Sequence, residues 1–352
     1  MQATDQPDDA AANTNTDTET DASSVTATDS GEPEYRVFHQ KGRWQGLPLR
    51  VEDADGGPAF ASVLPEGAPE NAPDILMLGV PNQGMMSGQP TNVFLIGNVS
   101  DPARKLTLVD AGVRESWDAL AHALDVVGVP LERIGQIVLT HCHPDHLGNA
   151  GQVQRGSGAT CFVHPLEQHH IETWGDGVKV TTWLTGNERI EGDGFTLRTI
   201  FTPGHAPGHV CVVEEASGVL IAGDMISGFG SVGVFPPGGS MREYIESLHR
   251  LLAEYATSHF TVVCPGHGPA MPDARAKLEE YVVHRLQREE DVFAAVQAGG
   301  HSIATLMPTI YPDVQSHLSW PAERTLLAHL QKLAEDGRVA HPDEDTWLPL
   351  AS

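Results

Sequence analysis

A chain of 352 residues is long enough for one large or two ordinary domains with a sizeable core. Its formal charge of −26, with only five lysines (Lys41, Lys105, Lys179, Lys277 and Lys332), argues against non-specific binding to nucleic acid or to an anionic membrane. The four cysteines (Cys142, Cys161, Cys211 and Cys264) show no C-x-x-C pairing and three fall in predicted apolar strands, so free buried thiols are expected.

Residues 1–34 carry nine acids and no Lys or Arg among Thr, Ala, Ser and Asn. Such a segment cannot bury enough apolar surface to offset the entropy of ordering, and a disordered acidic tail is expected. It has no basic start followed by an apolar run, and no later run approaches the length of a membrane span. A soluble, cytoplasmic protein without membrane contact is the expectation. Residues 35–73 read as an irregular extension with room for one hairpin. From Asp74 the pattern tightens into three strands, Ile75–Val80, Asn92–Gly97 and Leu106–Gly112, separated by loops rich in Gly, Pro and Ser. Trp117, Leu120, Leu124 and Val127 then recur at helical spacing before Gly128 stops the run.

Gln136–Thr140 is a short apolar, β-branched run, and the chain leaves it through His141-Cys-His143-Pro-Asp145-His146. Three imidazoles and a carboxylate packed so closely are metal ligands: neutral imidazole nitrogen and carboxylate oxygen are what a borderline cation such as Zn²⁺ accepts. Four donors on six residues cannot all close on one ion without strain, and two ions relieve the crowding. On a strand-like stretch the Cys142 side chain should point away from its neighbours'. Asp110, ending the strand before this loop, is placed to orient a ligand histidine.

Further donors follow at predicted strand ends. His205 sits in a Pro- and Gly-enforced turn after Phe195–Phe201, Asp224 ends the apolar run from Val219, and His267 lies between glycines after Phe260–Cys264. Thr160–His164 is another strand, and residues 171–193 read as irregular, with Trp174 and Trp183 expected in the core, the floor or cover of a substrate pocket being the alternative. Ser240 and Glu243 make a capping box ahead of an amphipathic helix through Tyr255. Past Pro269 the pattern turns helical, over Asp273–Val296, Ser302–Tyr311 and Pro321–Asp336, and ends in a short hairpin. Strands and helices alternate, which allows an α/β sandwich of two sheets with helices outside.

The order His-x-His-x-Asp-His, Thr-Pro-Gly-His, Gly-Asp, Pro-Gly-His-Gly-Pro resembles the metallo-β-lactamase-fold hydrolase superfamily. The resemblance implies an αββα sandwich with the ligand loops at one edge. It also implies two zinc ions, other divalent metals being possible: His141, His143 and His205 hold the first, Asp145, His146 and His267 the second, and Asp224 bridges them. A water shared between ions about 3.5–4 Å apart has its pKa lowered toward about 7, so the implied nucleophile is hydroxide, with Asp145 and Asp224 the catalytic carboxylates that place the ions and orient the water. No G-x-S-x-G elbow appears, so a serine nucleophile is not expected.

The helical tail, with Tyr281-x-x-His284-Arg285-x-x-Arg288-Glu289, resembles the winged-helix-like C-terminus of the lactamase-beta-2-like branch. The implied division is a catalytic domain at 35–270 and a small helical winged-helix-like domain at 271–352. Relatives act on thioesters, lactones, β-lactams and RNA phosphodiesters through the same centre, so the substrate has to be argued from elsewhere. Residues 271–352 hold seven basic side chains against thirteen acids, a poor general clamp for RNA. A small-molecule ester or thioester is the expected substrate, and single-strand-selective endoribonuclease activity is the alternative. Arg285 and Arg288 are expected to matter for domain packing more than for substrate affinity, with a place on a solvated helix face, paired with Glu289 or neighbouring acids, as the commoner role for such residues.

Overall fold

The computed structural model describes residues 60–82 and 89–350. The acidic tail at 1–34, and most of the extension after it, lie outside the described residues. Where the description begins, β1 (Phe60–Ser62) pairs antiparallel with β2 (Asp74–Val80), which in turn pairs with β3 (Thr91–Gly97). The three strands expected from Asp74 onward are all formed, the third as β4 (Leu106–Val109). The helix α1 (Trp117–Val126) follows, then β5 (Ile134–Val138), α2 (Pro144–Leu147), α3 (Ala150–Ser157), β6 (Thr160–Val163) and α4 (Gln168–Trp174). Residues 171–193 are less irregular than their sequence suggests, because the end of α4, β7 (Thr182–Trp183) and β8 (Arg189–Glu191) all fall there.

The second half is built from β9 (Thr196–Phe201), β10 (Val210–Glu214), β11 (Val219–Ser227), α5 (Met241–Ser258) and β12 (Val262–His267). Ser240 caps α5 by accepting the Glu243 amide, and Met241, Tyr244, Ile245, Leu248 and Leu251 fall on its buried face at helical spacing.

Period-two alternation sorts the strand side chains into layers. In β3, Val93 and Leu95 face the helices α1 and α3, whereas Phe94 and Ile96 face inward toward the other half of the sheet. In β11, Val219 and Ile221 meet that same central layer, while Leu220 and Ala222 pack under α5. Helix, sheet, sheet and helix therefore stack with three apolar layers between them, the αββα sandwich expected. Each fully buried Val, Leu, Ile or Phe in those layers contributes about 1.5–3 kcal/mol.

Strands β4 to β7 run parallel to one another, as do β11 and β12, so their C-terminal ends gather at one edge. The two halves meet through β3 and β12, whose ladder consists of the single pair His267 and Thr91. Asn92 strengthens that junction by donating to Pro265 O at 2.9 Å and Gly268 O at 2.7 Å.

Beyond β12 come α6 (Ala274–Gln297), α7 (Ile303–Ile310), α8 (Ser319–Glu335) and the hairpin of β13 (Val339–Asp343) and β14 (Thr346–Pro349). Val292, Val296, Leu306, Leu326, Leu330 and Trp347 form a core of their own. The start of α6 has a different allegiance: Ala274, Leu278, Tyr281 and Val282 share the layer under α5, joined by Ala328 of α8. Among the described residues no helix is long and apolar enough to cross a membrane.

Arg285 and Arg288 do not lie on a solvated face. Arg285 is 1% exposed, stacks on the Tyr244 ring at 4.9 Å and donates to Val232 O. Arg288 stacks on Tyr311 at 4.7 Å and donates to Ile310 O. Because α6 is packed by other elements on several sides, its sequence shows no single apolar stripe and its buried arginines read as surface. Glu289 pairs instead with Lys332 at 2.9 Å.

His329 on α8 is fully buried, and neither ring nitrogen has a hydrogen-bond partner among the described residues. Burial first, then the nearby Arg285, Arg288 and Lys332, hold its imidazole neutral, well below the ordinary value of 6.5. The unfolded chain takes up that proton below pH 6.5 and the folded chain does not. The contribution is therefore complete above that pH and is lost as pH falls, by up to about 1.4 kcal/mol per unit. A His329→Leu variant should show a shallower loss of stability than the parent between about pH 6.5 and 5 in urea titrations. Equal slopes would refute this account of the acid sensitivity.

Candidate metal centre

Each donor predicted from the sequence reaches the same edge. His141, His143, Asp145 and His146 lie on the turn between β5 and α2 and on α2 itself. His205 is in the turn after β9, Asp224 is in β11, and His267 is the last residue of β12. Register shifts in the β11–β12 pairing flank Gly223, where the ladder is interrupted and the strand bends beside Asp224. Gly204 has φ of +130°, and a side chain there would meet the Tyr244 backbone nitrogen at 2.2 Å; only glycine lets the His205 turn sit against α5. Gly266 backs the centre itself, since a Cβ would fall 2.2 Å from Asp224 Oδ1 and 2.9 Å from His146 Cε1.

Three sets of donor atoms converge: His141, His143 and His205; His141, His146 and Asp224; and Asp145, His146 and His267. In the first set, His143 Nδ1 is 3.1 Å from His141 Nε2 and 2.9 Å from His205 Nε2. In the third, Asp145 Oδ2 is 3.8 Å from His146 Nε2 and 3.3 Å from His267 Nε2. Asp224 lies between the groups, with Oδ2 at 3.4 Å from His205 Nε2 and 3.6 Å from His267 Nε2, and Oδ1 at 3.5 Å from His146 Nε2. Donors held tetrahedrally at about 2.0–2.1 Å stand about 3.3–3.4 Å apart, so the spacings bracket what a small divalent cation requires.

Ring orientation gives an independent test of fit. His146 donates Nδ1–H to Asp110 Oδ2 at 2.8 Å, His205 to Gly233 O at 2.8 Å, and His267 to Pro90 O at 3.1 Å. Those acceptors cannot donate, so they take up Nδ1–H and turn each Nε2 toward the other donor atoms, where it can bind a cation once its own proton is displaced. His146 Nε2, His267 Nε2 and Asp224 Oδ1 are buried with no hydrogen-bond partner, a costly arrangement unless a cation receives them. The residues present fit a metal.

Electrostatics agree. Burial, then the neighbouring imidazoles, depress His141 well below its ordinary value; burial and His205 bring His143 to about 3. Burial opposes a charged ring at His267 too, but Asp224 and Asp145 outweigh it and raise it to about 10. Burial is likewise overcome at His146, by Asp224, Asp145 and Asp110. Asp224 and Asp145 are held below the usual carboxylate range, burial being outweighed by these two imidazoles. Excess negative charge is thus matched by protons, which an arriving cation would displace.

Several residues that hold the candidate ligands carry no signal in the sequence, although Asp110 does. Asp110, fully buried with φ of +60°, accepts from Thr140 N as well as from His146. Asn82 donates to Asp145 Oδ2 at 2.9 Å, and His209 Nε2 accepts the Asp224 amide at 3.1 Å. Glu167, fully buried, accepts from Cys142 N at 3.0 Å, Gly208 N at 2.7 Å and His170 Nδ1 at 2.9 Å, joining the loops that carry His143 and His205. Cys142 points into the layer under α1 and α3, away from the donors, and all four cysteines are buried and free.

Trp174 and Trp183 are not core residues: they are 39% and 45% exposed. Trp174 stacks on His170 at 4.9 Å, and the His170 ring stands 5.7 Å from that of His143, so this indole lies at the margin of the centre.

The sequence matches the Metallo-beta-lactamase superfamily over residues 86–267 and the Beta-lactamase associated winged helix domain over 302–347. It is 27% identical over 271 residues to the Beta-lactamase-like protein 2 homolog of Caenorhabditis elegans, spanning 76% of this chain and 86% of that one. An Atrochrysone carboxyl ACP thioesterase of Aspergillus fumigatus is 28% identical over 223 residues, 61% of this chain and 62% of that protein. Among solved structures, a metallo-beta-lactamase family protein from Thermus thermophilus superposes with a TM-score of 0.65 at 26% identity, covering 78% of this chain and 98% of that one.

Proposed function

This chain belongs to the metallo-beta-lactamase superfamily, and from that premise we propose that it is a dinuclear zinc hydrolase of a small-molecule ester or thioester. The observation that carries this reading is the convergence of three sets of imidazole and carboxylate donors, in which the buried His146 Nε2, His267 Nε2 and Asp224 Oδ1 make no hydrogen bond. His141, His143 and His205 are assigned to one ion, Asp145, His146 and His267 to the other, and Asp224 to both. Residues 35–270 are assigned as the catalytic unit and 271–352 as the helical one.

Bound divalent ions would acidify water at neutral pH and polarise the scissile carbonyl. The protein's part is placement. Asp110, Gly233 O and Pro90 O fix which nitrogen of His146, His205 and His267 faces inward, and Asn82 holds one oxygen of Asp145. His143 and Asp145 are the partly exposed members of the set, so substrate approaches on their side, along His170 and Trp174. The similarity to a protein named as an ACP thioesterase favours the thioester within the ester class.

Assays of metal-loaded protein against thioester, lactone, β-lactam and single-stranded RNA panels test the assignment. RNA cleavage should be absent, and KM for the best substrate should stay flat as salt rises, because a neutral substrate releases no counterions. All seven basic residues of 271–352 are engaged within the protein: Arg275 with Glu279, Lys277 with Glu280, Lys332 with Glu289, Arg338 with Glu290, and Arg285, Arg288 and Arg324 with backbone carbonyls. Metal-dependent RNA cleavage that weakens steeply with salt would replace this reading with the endoribonuclease.

A further inference from the structure

The segment between β11 and α5 touches the metal centre on one side and the C-terminal helices on the other. Gly233 O accepts from His205 Nδ1 at 2.8 Å, and the amide of the same peptide unit, Val234 N, donates to Thr325 Oγ1 of α8 at 3.3 Å. In a trans peptide the C=O and N–H point in opposite directions, so the two bonds together fix the rotation of that plane. Carbonyls on either side of it are also held by residues of the C-terminal helices. Val232 O accepts from Arg285 of α6, and Pro236 O from Arg324 of α8.

We propose that Arg285, Arg324 and Thr325 are positioning residues for the metal centre: they clamp the Val232–Pro236 segment so that the Gly233 carbonyl sets the tautomer and angle of the His205 ring. The C-terminal helices thereby act on the centre without touching a donor atom. The energetics favour such a role. Arg285 and Thr325 are buried at 1% and 6% exposure near Leu278, Val282 and Ala328, surroundings where apolar side chains would avoid the desolvation of a guanidinium and a hydroxyl. Their bonds to the segment give these polar groups a partner and give the segment one register. Ser240 N, donating to Gly204 O at 2.8 Å, ties the far end of the segment to the turn that carries His205.

The inference rests on the reading of His205 as a metal ligand, and the experiment separates the two. Thr325→Val keeps the shape of the side chain and removes the acceptor; Arg324→Ala removes an outer bond; Arg285, at the centre of the packing, is left intact so that folding is preserved. Zinc affinity is measured by competition with a chromophoric chelator, ligand geometry by the visible spectrum of the cobalt-substituted protein, and stability by the melting temperature of the metal-free form. Thr325→Val should weaken zinc binding about 10-fold, the lower end of the range for groups that orient ligands, and shift the cobalt bands, with the metal-free form still melting cooperatively and its melting temperature lowered by about 2–10 °C, as one unpaired buried amide requires. Arg324→Ala should act in the same direction, and Thr325→Ser should restore both readouts. If His205→Ala disrupts metal binding while Thr325→Val keeps parental affinity and spectrum, the ligand reading stands and the clamp is overturned. If His205→Ala leaves metal content and spectrum unchanged, both fall.

Discussion

Protein carrying His143→Ala should lose hydrolytic activity by more than about 100-fold, beyond what loss of an outer partner produces, while remaining folded. His143 Nδ1 is the atom on which His141 Nε2 and His205 Nε2 close, at 3.1 and 2.9 Å, so its removal opens one donor set and spares the other. His267→Ala should do the reverse. Its Nε2 faces Asp145 and Asp224 at 3.3 and 3.6 Å, and without it the ion held with Asp145 and His146 should leave first. Metal analysis should then read about two zinc ions per chain in the parent and about one in His267→Ala, consistent with separate sites of three or four donors each. A preparation fully active with one ion or none would end the dinuclear assignment.

The second large effect is expected at a residue that binds no metal. Glu167→Ala strips two buried backbone amides, Cys142 N and Gly208 N, of their acceptor and leaves His170 without its carboxylate. Leaving a buried donor unpaired costs about 1–3 kcal/mol each, so a loss of about 3–5 kcal/mol in stability is expected. Metal affinity should fall with it, since the two amides flank His143 and His205 in sequence. Glu167→Gln keeps the volume and one oxygen acceptor and should recover part of both quantities. Urea unfolding together with chelator competition measures the pair of effects; unchanged stability in Glu167→Ala would show that the carboxylate does not join the loops.

The seven candidate donors, which the fold brings to one edge, could be read from the chain because four of them are nearly consecutive and the rest follow apolar runs that read as strands. What a sequence shows of a metal site is its donors; what orients them depends on which backbone groups the fold brings near. Glu167 carries no local signal, since its partners at Cys142 and Gly208 lie 25 and 41 residues away. Asn82, 63 residues before Asp145, is hidden for the same reason. Asp110 was readable because a carboxylate at a strand end beside the candidate ligand loop can accept from a histidine there, a plain turn aspartate being the other reading until the family resemblance is added. The arginines of α6 misled for a physical reason: a helix packed on several sides carries no polar face for comparison, and a buried guanidinium looks like a solvated one until its carbonyl acceptors are in place. Trp174 and Trp183 misled in the opposite sense, large apolar residues left at the surface.

The single-pair junction between β3 and β12 has a consequence for how the protein comes apart. His141 to His146 belong to one half of the sheet, and His205, Asp224 and His267 to the other, so the donors straddle the seam where the ladder is shortest. An ion bound there would be a rivet through two plates, adding little inside either half and restraining their separation. Demetallation should loosen amide exchange first along Thr91, Asn92, Gly266 and His267, with the interiors of both halves exchanging later. Saturating zinc should merge the two stages into one.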